Sequence, residues 1–178
     1  MKARTGTADT RLVVLRGNSG SGKTTTARAV RQRYGSGLAI VSQDTVRREI
    51  LCEAHGPVRA TPGLIDVITR QCLNEGFHVI LEGIFTADRW GELLHRLADD
   101  HRGTSRFFYF DLSFAETLRR HATRPEASEF DESKMREWYR PADVLEGVAE
   151  TLIKRGSTLE EIVRTVMTEA GLDPQPAR

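Results

Sequence analysis

The stretch Gly17-Asn18-Ser19-Gly20-Ser21-Gly22-Lys23-Thr24 fits the pattern GxxxxGK[ST] at every fixed position, and no other feature constrains this chain as strongly. The apolar run Leu12-Val13-Val14-Leu15 precedes it and a segment of helical period follows it, the context that separates a working match from chance. Glycines let the backbone curl until several N–H groups point at one anion, and the start of the following helix adds its positive dipole end. Lys23 can then bridge the outer phosphates of a nucleotide, and the Thr24 hydroxyl can ligate Mg²⁺. An ordinary Gly/Ser turn requires neither residue. Gly17 to Thr24, together with Thr25, are therefore the expected nucleotide-binding residues.

The rest of the chain reads as alternating strand-length apolar runs and helical segments, the signature of βα units on a parallel sheet in a three-layer α/β/α domain. Five strands are expected, at Leu12–Arg16, Leu38–Ser42, Phe77–Glu82, Arg106–Asp111 and, more weakly, Val148–Ile153. Helices are expected from Lys23 to Tyr34, Thr45 to Ala54, Thr61 to Glu75 with Thr61 as cap, Ala87 to Asp100, Ser113 to Arg124 behind a capping box, and from a cap at Ser157 or Thr158 to Ala170. The 178 residues suit one domain, with loose ends at 1–10 and 172–178. No apolar run approaches a membrane span and the first ten residues lack a secretory core, so the cytoplasm is the simplest address. A net charge of +1 argues against a nucleic-acid partner. Cys52 and Cys72 lack metal spacing and read as small buried hydrophobes. The five histidines share no ligand spacing and read as surface or core residues, and Trp90 reads as packing.

Ligands bind where the carboxyl ends of the strands of an open parallel sheet line up. Besides the loop, those ends deliver Gln43-Asp44, Glu82-Gly83 and Asp111. Asp44 is the candidate for holding an acceptor hydroxyl in line and taking its proton, with Arg47 three residues on to bind the acceptor; Asp44 could also cap its own helix. Glu82 stands where an acid holds water on Mg²⁺, or reaches the acceptor. Asp111 either joins them or starts the next helix. Arg119, Arg120 and Arg124 close that helix, where a dipole alone favours cations, while Arg120 and Arg124 could clamp a transferring phosphoryl group. Residues 123–141 read as a lid, with Met135, Trp138 and Tyr139 packed down and Arg136 and Arg140 on a solvated face or turned to phosphate.

A guanine-reading [NT]KxD pattern and a transporter LSGGQ are both lacking, and the length is too short for an AAA+ module, which leaves mainly the small kinases. With GNSGSGKTT, SQD-x-x-R, VILEG and LRRHATRP in that order, residues 11 to 170 resemble the small P-loop kinases of the adenylate-kinase-like group. Within it they look most like the zeta-toxin, chloramphenicol-phosphotransferase and polynucleotide-kinase-like ATP-binding proteins. The resemblance implies a P-loop NTPase fold of strand order 2-3-1-4-5, ATP and Mg²⁺ as donor, and a small-molecule hydroxyl as acceptor. It assigns Lys23 to the phosphates, Thr24 to the metal, Asp44 to the acceptor, and Arg120 and Arg124 to the lid side. The stretch from Cys52 to Ile68 matches none of these branches, so the acceptor is left open. A polynucleotide 5′-end kinase and a regulatory ATP-binding module are the rival readings.

Overall fold

In the computed structural model, which describes residues 4–53, 60–122 and 131–173, the strands are β1 (Arg11–Gly17), β2 (Leu38–Ser42), β3 (His78–Gly83), β4 (Thr104–Asp111) and β5 (Glu150–Lys154). All pair in parallel, in the order β2-β3-β1-β4-β5. The helices are α1 (Lys23–Tyr34), α2 (Thr61–Asn74), α3 (Ala87–Asp100), α4 (Phe114–His121), α5 (Glu132–Trp138) and α6 (Leu159–Ala170). Because successive side chains of a strand point to opposite faces, β1 feeds two cores. Val13 and Leu15 pack with Ala27, Val30, Val163 and Val166 of α1 and α6, while Leu12 and Val14 pack with Ile65, Leu73, Leu94 and Leu97 of α2 and α3. Two-sided burial explains why β1 is a continuous apolar run rather than an alternating one. Trp90 is buried edge-on against Phe85, as packing requires.

Local structure departs from expectation in identifiable places. Residues 45–50 wind as a π-helix, with the amide of Leu51 donating to the carbonyl of Val46 at 3.0 Å, so the helix stops before Ala54. Cys52 follows at φ 46 and is exposed, not buried. Thr61 does not cap α2; the capping position is Ala60, and the Thr61 hydroxyl donates instead to the carboxylate of Glu53. The box expected at Ser113 is half formed: Ser113 accepts from the amide of Glu116, whose carboxylate is taken by arginines. The complete box is at Thr158 and Glu161.

The N-terminal segment is not loose from Thr5 onward. The amide of Thr5 donates to Asp100 O at 2.9 Å, Arg102 N donates to Thr5 O at 3.0 Å, and Gly6 N donates to Asn74 Oδ1 at 2.8 Å. Leu172, assigned to a loose tail, is 2% exposed and packs into the α1/α6 core. Arg124 and the start of the expected lid lie outside the described residues, as does His55. Among the described residues no helix is long and apolar enough to cross a membrane.

Candidate active site

The loop between β1 and α1 is shaped by backbone geometry that excludes most side chains. Gly20 has φ 77, and a Cβ there would stand 2.6 Å from the carbonyl oxygen of Thr117, so α4 rests directly on the loop. Within the loop Lys23 is buried, its Nζ donating to Asn18 O at 2.8 Å and to Ser21 Oγ at 3.1 Å. The cation is thus held inside the curl that the glycines make.

One cavity is lined by residues 19–24 of this loop together with Asp44, Glu82, Gly83 and Ile84. Sheet register explains the convergence: Glu82 sits between Leu15 of β1 and Ser42 of β2, at the carboxyl ends of all three strands. Glu82 is 3% exposed, and the Thr24 hydroxyl donates to its Oε1 at 3.1 Å. Asp44 is at the mouth, its side chain 71% exposed, with Arg48 Nε 3.7 Å from Oδ1. Asp44 is helical in backbone and makes no capping bond, so the capping role does not apply. Arg48, four residues on, stands beside it, and Arg47 does not line the cavity.

Other expectations fall outside this cavity. Asp111 is exposed at the end of β4 and does not line it, leaving two carboxylates rather than three. Thr25 is exposed on α1, turned away by the helical step from Thr24. Gly17 and Asn18 border a smaller cavity with Ile84, Phe85, Thr86, Tyr109, Arg140 and Asp143.

The arginines divide. Arg120 Nη1 donates to Ser21 O at 3.1 Å while its Nε binds Glu116 at 2.7 Å, which ties α4 to the phosphate loop. Arg119 makes a two-pronged bond to the same carboxylate at 3.0 and 2.7 Å from a side chain 70% exposed. Arg119 and then Arg120 hold the Glu116 carboxyl down to about 2, so it stays ionised and keeps both partners. Arg136 binds Glu132 at 2.7 Å and lies over the ring of Phe114 at 4.3 Å, away from the cavity. Met135 is buried and Tyr139 meets Phe114 edge to face, so α5 docks on α4 through the apolar face expected of it.

Sequence reading placed Gln43 at a strand end without a role and missed Arg16. Gln43 is buried and its Oε1 accepts from Ile84 N at 2.7 Å, locking the ends of β2 and β3 together beneath the cavity. Arg16 is fully buried in the residue before the loop, its Nε 2.9 Å from Glu150 Oε1. Burial pushes the Glu150 carboxyl up even beside this cation. An arginine closing an apolar strand, just ahead of the glycine, was the available signal.

This sheet order, with a phosphate loop on the central strand and helices on both faces, defines a P-loop NTPase α/β fold. The chain belongs to the AAA_33 family, described as an AAA domain, which matches residues 12–146. The description thus extends to a chain that length alone would have placed outside AAA+ modules. Among solved structures, a sugar kinase of Janibacter sp. HTCC2649 is 18% identical, with a TM-score of 0.67 over 93% of this chain and 96% of that one. The APS kinase of Mycobacterium tuberculosis, in complex with AMPPNP and APS, is 16% identical, with a TM-score of 0.66 over 93% and 97%. The tunicamycin resistance protein of Deinococcus radiodurans is 16% identical, with a TM-score of 0.64 over 94% and 99%. At such identities the likeness is one of fold, and it bears out the resemblance to small P-loop kinases. No curated protein matches the chain.

Proposed function

We propose that this protein is an ATP-dependent kinase that transfers the γ-phosphoryl group to a hydroxyl of a small molecule. The observation that carries the reading is the meeting of the loop residues 19–24, Asp44 and Glu82 on one cavity. Near-neutral charge favours a small acceptor over a polynucleotide end.

The loop amides bind the phosphates, and Lys23 exchanges its bonds to Asn18 O and Ser21 Oγ for phosphate oxygens. Asp44, the exposed carboxylate at the mouth, accepts the proton of the acceptor hydroxyl as its oxygen attacks phosphorus, and the bond from γ-phosphorus to the bridging oxygen breaks to leave ADP. Arg120 supplies planar donors to the spreading charge from a position already on the loop, and the resemblance assigns Arg124 to the lid side with it. Closure of α5 over the site would exclude water, and Arg47 and Arg136 are candidates only for contacts made after closure.

The Thr24 hydroxyl and Glu82 carboxylate, two oxygen donors 3.1 Å apart at the loop, suit a hard divalent cation, and these residues would hold Mg²⁺ directly or through water. A cation held by these residues would supply positive charge to offset that of the nucleotide phosphates. Measuring ADP release with and without a panel of hydroxylated metabolites tests the proposal. Acceptor-dependent release is the expected result; intact protein that neither binds nor turns over ATP overturns it.

A further inference from the structure

The residues on either side of Gly17 send their side chains to the same place. Asn18 is 5% exposed, and its amide pairs with the backbone of Arg140 in both directions: Nδ2 donates to Arg140 O and Arg140 N donates to Oδ1, each at 2.8 Å. Arg16 Nη1 donates to Asp143 O at 2.9 Å and to Phe85 O at 3.1 Å, with Asp143 Oδ2 at 3.4 Å. Tyr109 joins them, its hydroxyl donating to Arg140 O at 3.3 Å and accepting from Asp143 N at 3.1 Å. The carboxylate of Asp143 in turn accepts from Ala87 N at 3.0 Å, at the start of α3.

Residues 140–143 are the chain that leaves α5, the described helix of the expected lid. Between the two attachments Ala142 has φ 48, a left-handed backbone that a residue with a Cβ holds only where its surroundings fix it. The strap is thus pinned at both ends by side chains of β1 and the phosphate loop. A hydrogen bond to backbone is indifferent to the identity of residue 140, so the pairing positions the chain rather than reading a side chain.

Resting on the kinase reading above, we infer that Asn18 is a positioning residue that couples nucleotide binding in the phosphate loop to the ordering of residues 131–143, with Arg16 and Tyr109 holding the far end of the same strap. Displacement of the loop around phosphate moves Asn18, and Asn18 moves the base of α5. The nucleotide then shapes the lid through a joint outside the cavity that holds Lys23.

Amide hydrogen exchange on the full chain, with and without AMPPNP and Mg²⁺, tests this in the wild type, Asn18→Ala, Asn18→Asp and Tyr109→Phe. Without nucleotide, the Arg140 amide exchanges about threefold to tenfold faster in Asn18→Ala, the size of one net hydrogen bond, and stays slow in Asn18→Asp, which keeps the acceptor. With AMPPNP, the wild type slows exchange at both 18–24 and 131–143, whereas Asn18→Ala slows it at 18–24 alone and Tyr109→Phe, which frees the far end of the strap, slows it less at 131–143 than the wild type does. Tyr109→Phe leaves the loop sequence intact, so it decides the matter should Asn18→Ala fail to fold. Equal Arg140 exchange in wild type and Asn18→Ala, or undiminished slowing of 131–143 in Tyr109→Phe, overturns the inference. If AMPPNP slows nothing in the wild type, the kinase reading falls, while exchange without nucleotide still decides whether the joint exists.

Discussion

Both ends of the parallel sheet carry a cluster of polar side chains packed around glycine, but one cluster is closed and the other open. At the amino end, the Thr10 hydroxyl donates to Thr7 O at 2.8 Å and meets His101 Nε2 at 2.9 Å, while His101 Nδ1 meets Ser105 Oγ at 3.0 Å. Arg70 binds Asp66 at 2.8 Å, Asp100 at 2.9 Å and the Thr5 hydroxyl at 2.9 Å. A Cβ at Gly103 would lie 2.0 Å from Thr10 O. At the carboxyl end, the loop, Asp44 and Glu82 surround open space, and Asp44 stands largely in water. At the amino end these polar groups are bound to one another and to backbone, and they hold the chain in place. Groups that face a cavity carry the capacity to bind.

The two ends should therefore fail differently. Asp44→Asn keeps the shape of the mouth and removes the base, so kcat is expected to fall by about 10²–10⁴-fold while affinity for ATP and the melting temperature hold. Comparable losses in kcat and ATP affinity would mean that Asp44 acts on the donor instead. At the closed end, Gly103→Ala drives a methyl into backbone carbonyls and is expected to destabilise by about 3 kcal/mol or more, read by urea unfolding, with the kinetics of the folded fraction unchanged. His101 supplies a pH test. Burial, then the nearby Arg11 charge, holds its imidazole down at about 4, against 6.5 for a free one. Between those values the unfolded chain binds the extra proton. Stability is thus fully present above pH 6.5 and is lost as pH falls towards 4, by on the order of 3 kcal/mol in all. His101→Gln is expected to flatten that slope. His78, lowered by burial, adds a slope of the same sign and remains in the variant.

What the sequence disclosed follows the same division. The ends of α1 and α3 and the whole of β2 agree with expectation, because apolar period and local glycines set them. The phosphate loop was legible for a similar reason: its curl is a property of consecutive backbone angles. Asp44 was legible as a position at a strand end, but its partner was not. On a helix both the third and the fourth residue after Asp44 are arginines within its reach, and only the folded geometry shows Arg48 beside it. Arg16 and Asn18 were hidden for another reason. Their partners lie 122 to 134 residues away in chain order, at Arg140, Asp143 and Glu150, and only the folded sheet makes them neighbours. The anchored N-terminus was missed likewise, since Thr5 and Gly6 find His101 and Asn74 only across the sheet's amino end.

The smallest expected effect isolates a single bond of the closed cluster. Asn74, the last residue of α2, accepts from the amide of Gly6 at 2.8 Å and has no place in the cavity at the other end. Asn74→Ala removes the acceptor, but Asn74 is exposed, so water replaces part of what is lost. The cost should be about 1 kcal/mol, or roughly 2–4 °C in melting temperature for a chain of this length. Because the lost bond tethers the N-terminal segment, exchange at Gly6 and Thr5 should quicken ahead of any change in the core amides of β1. A measurable fall in kcat from Asn74→Ala would show that the two ends of the sheet communicate, and the separation between a holding end and a binding end would then have to be given up.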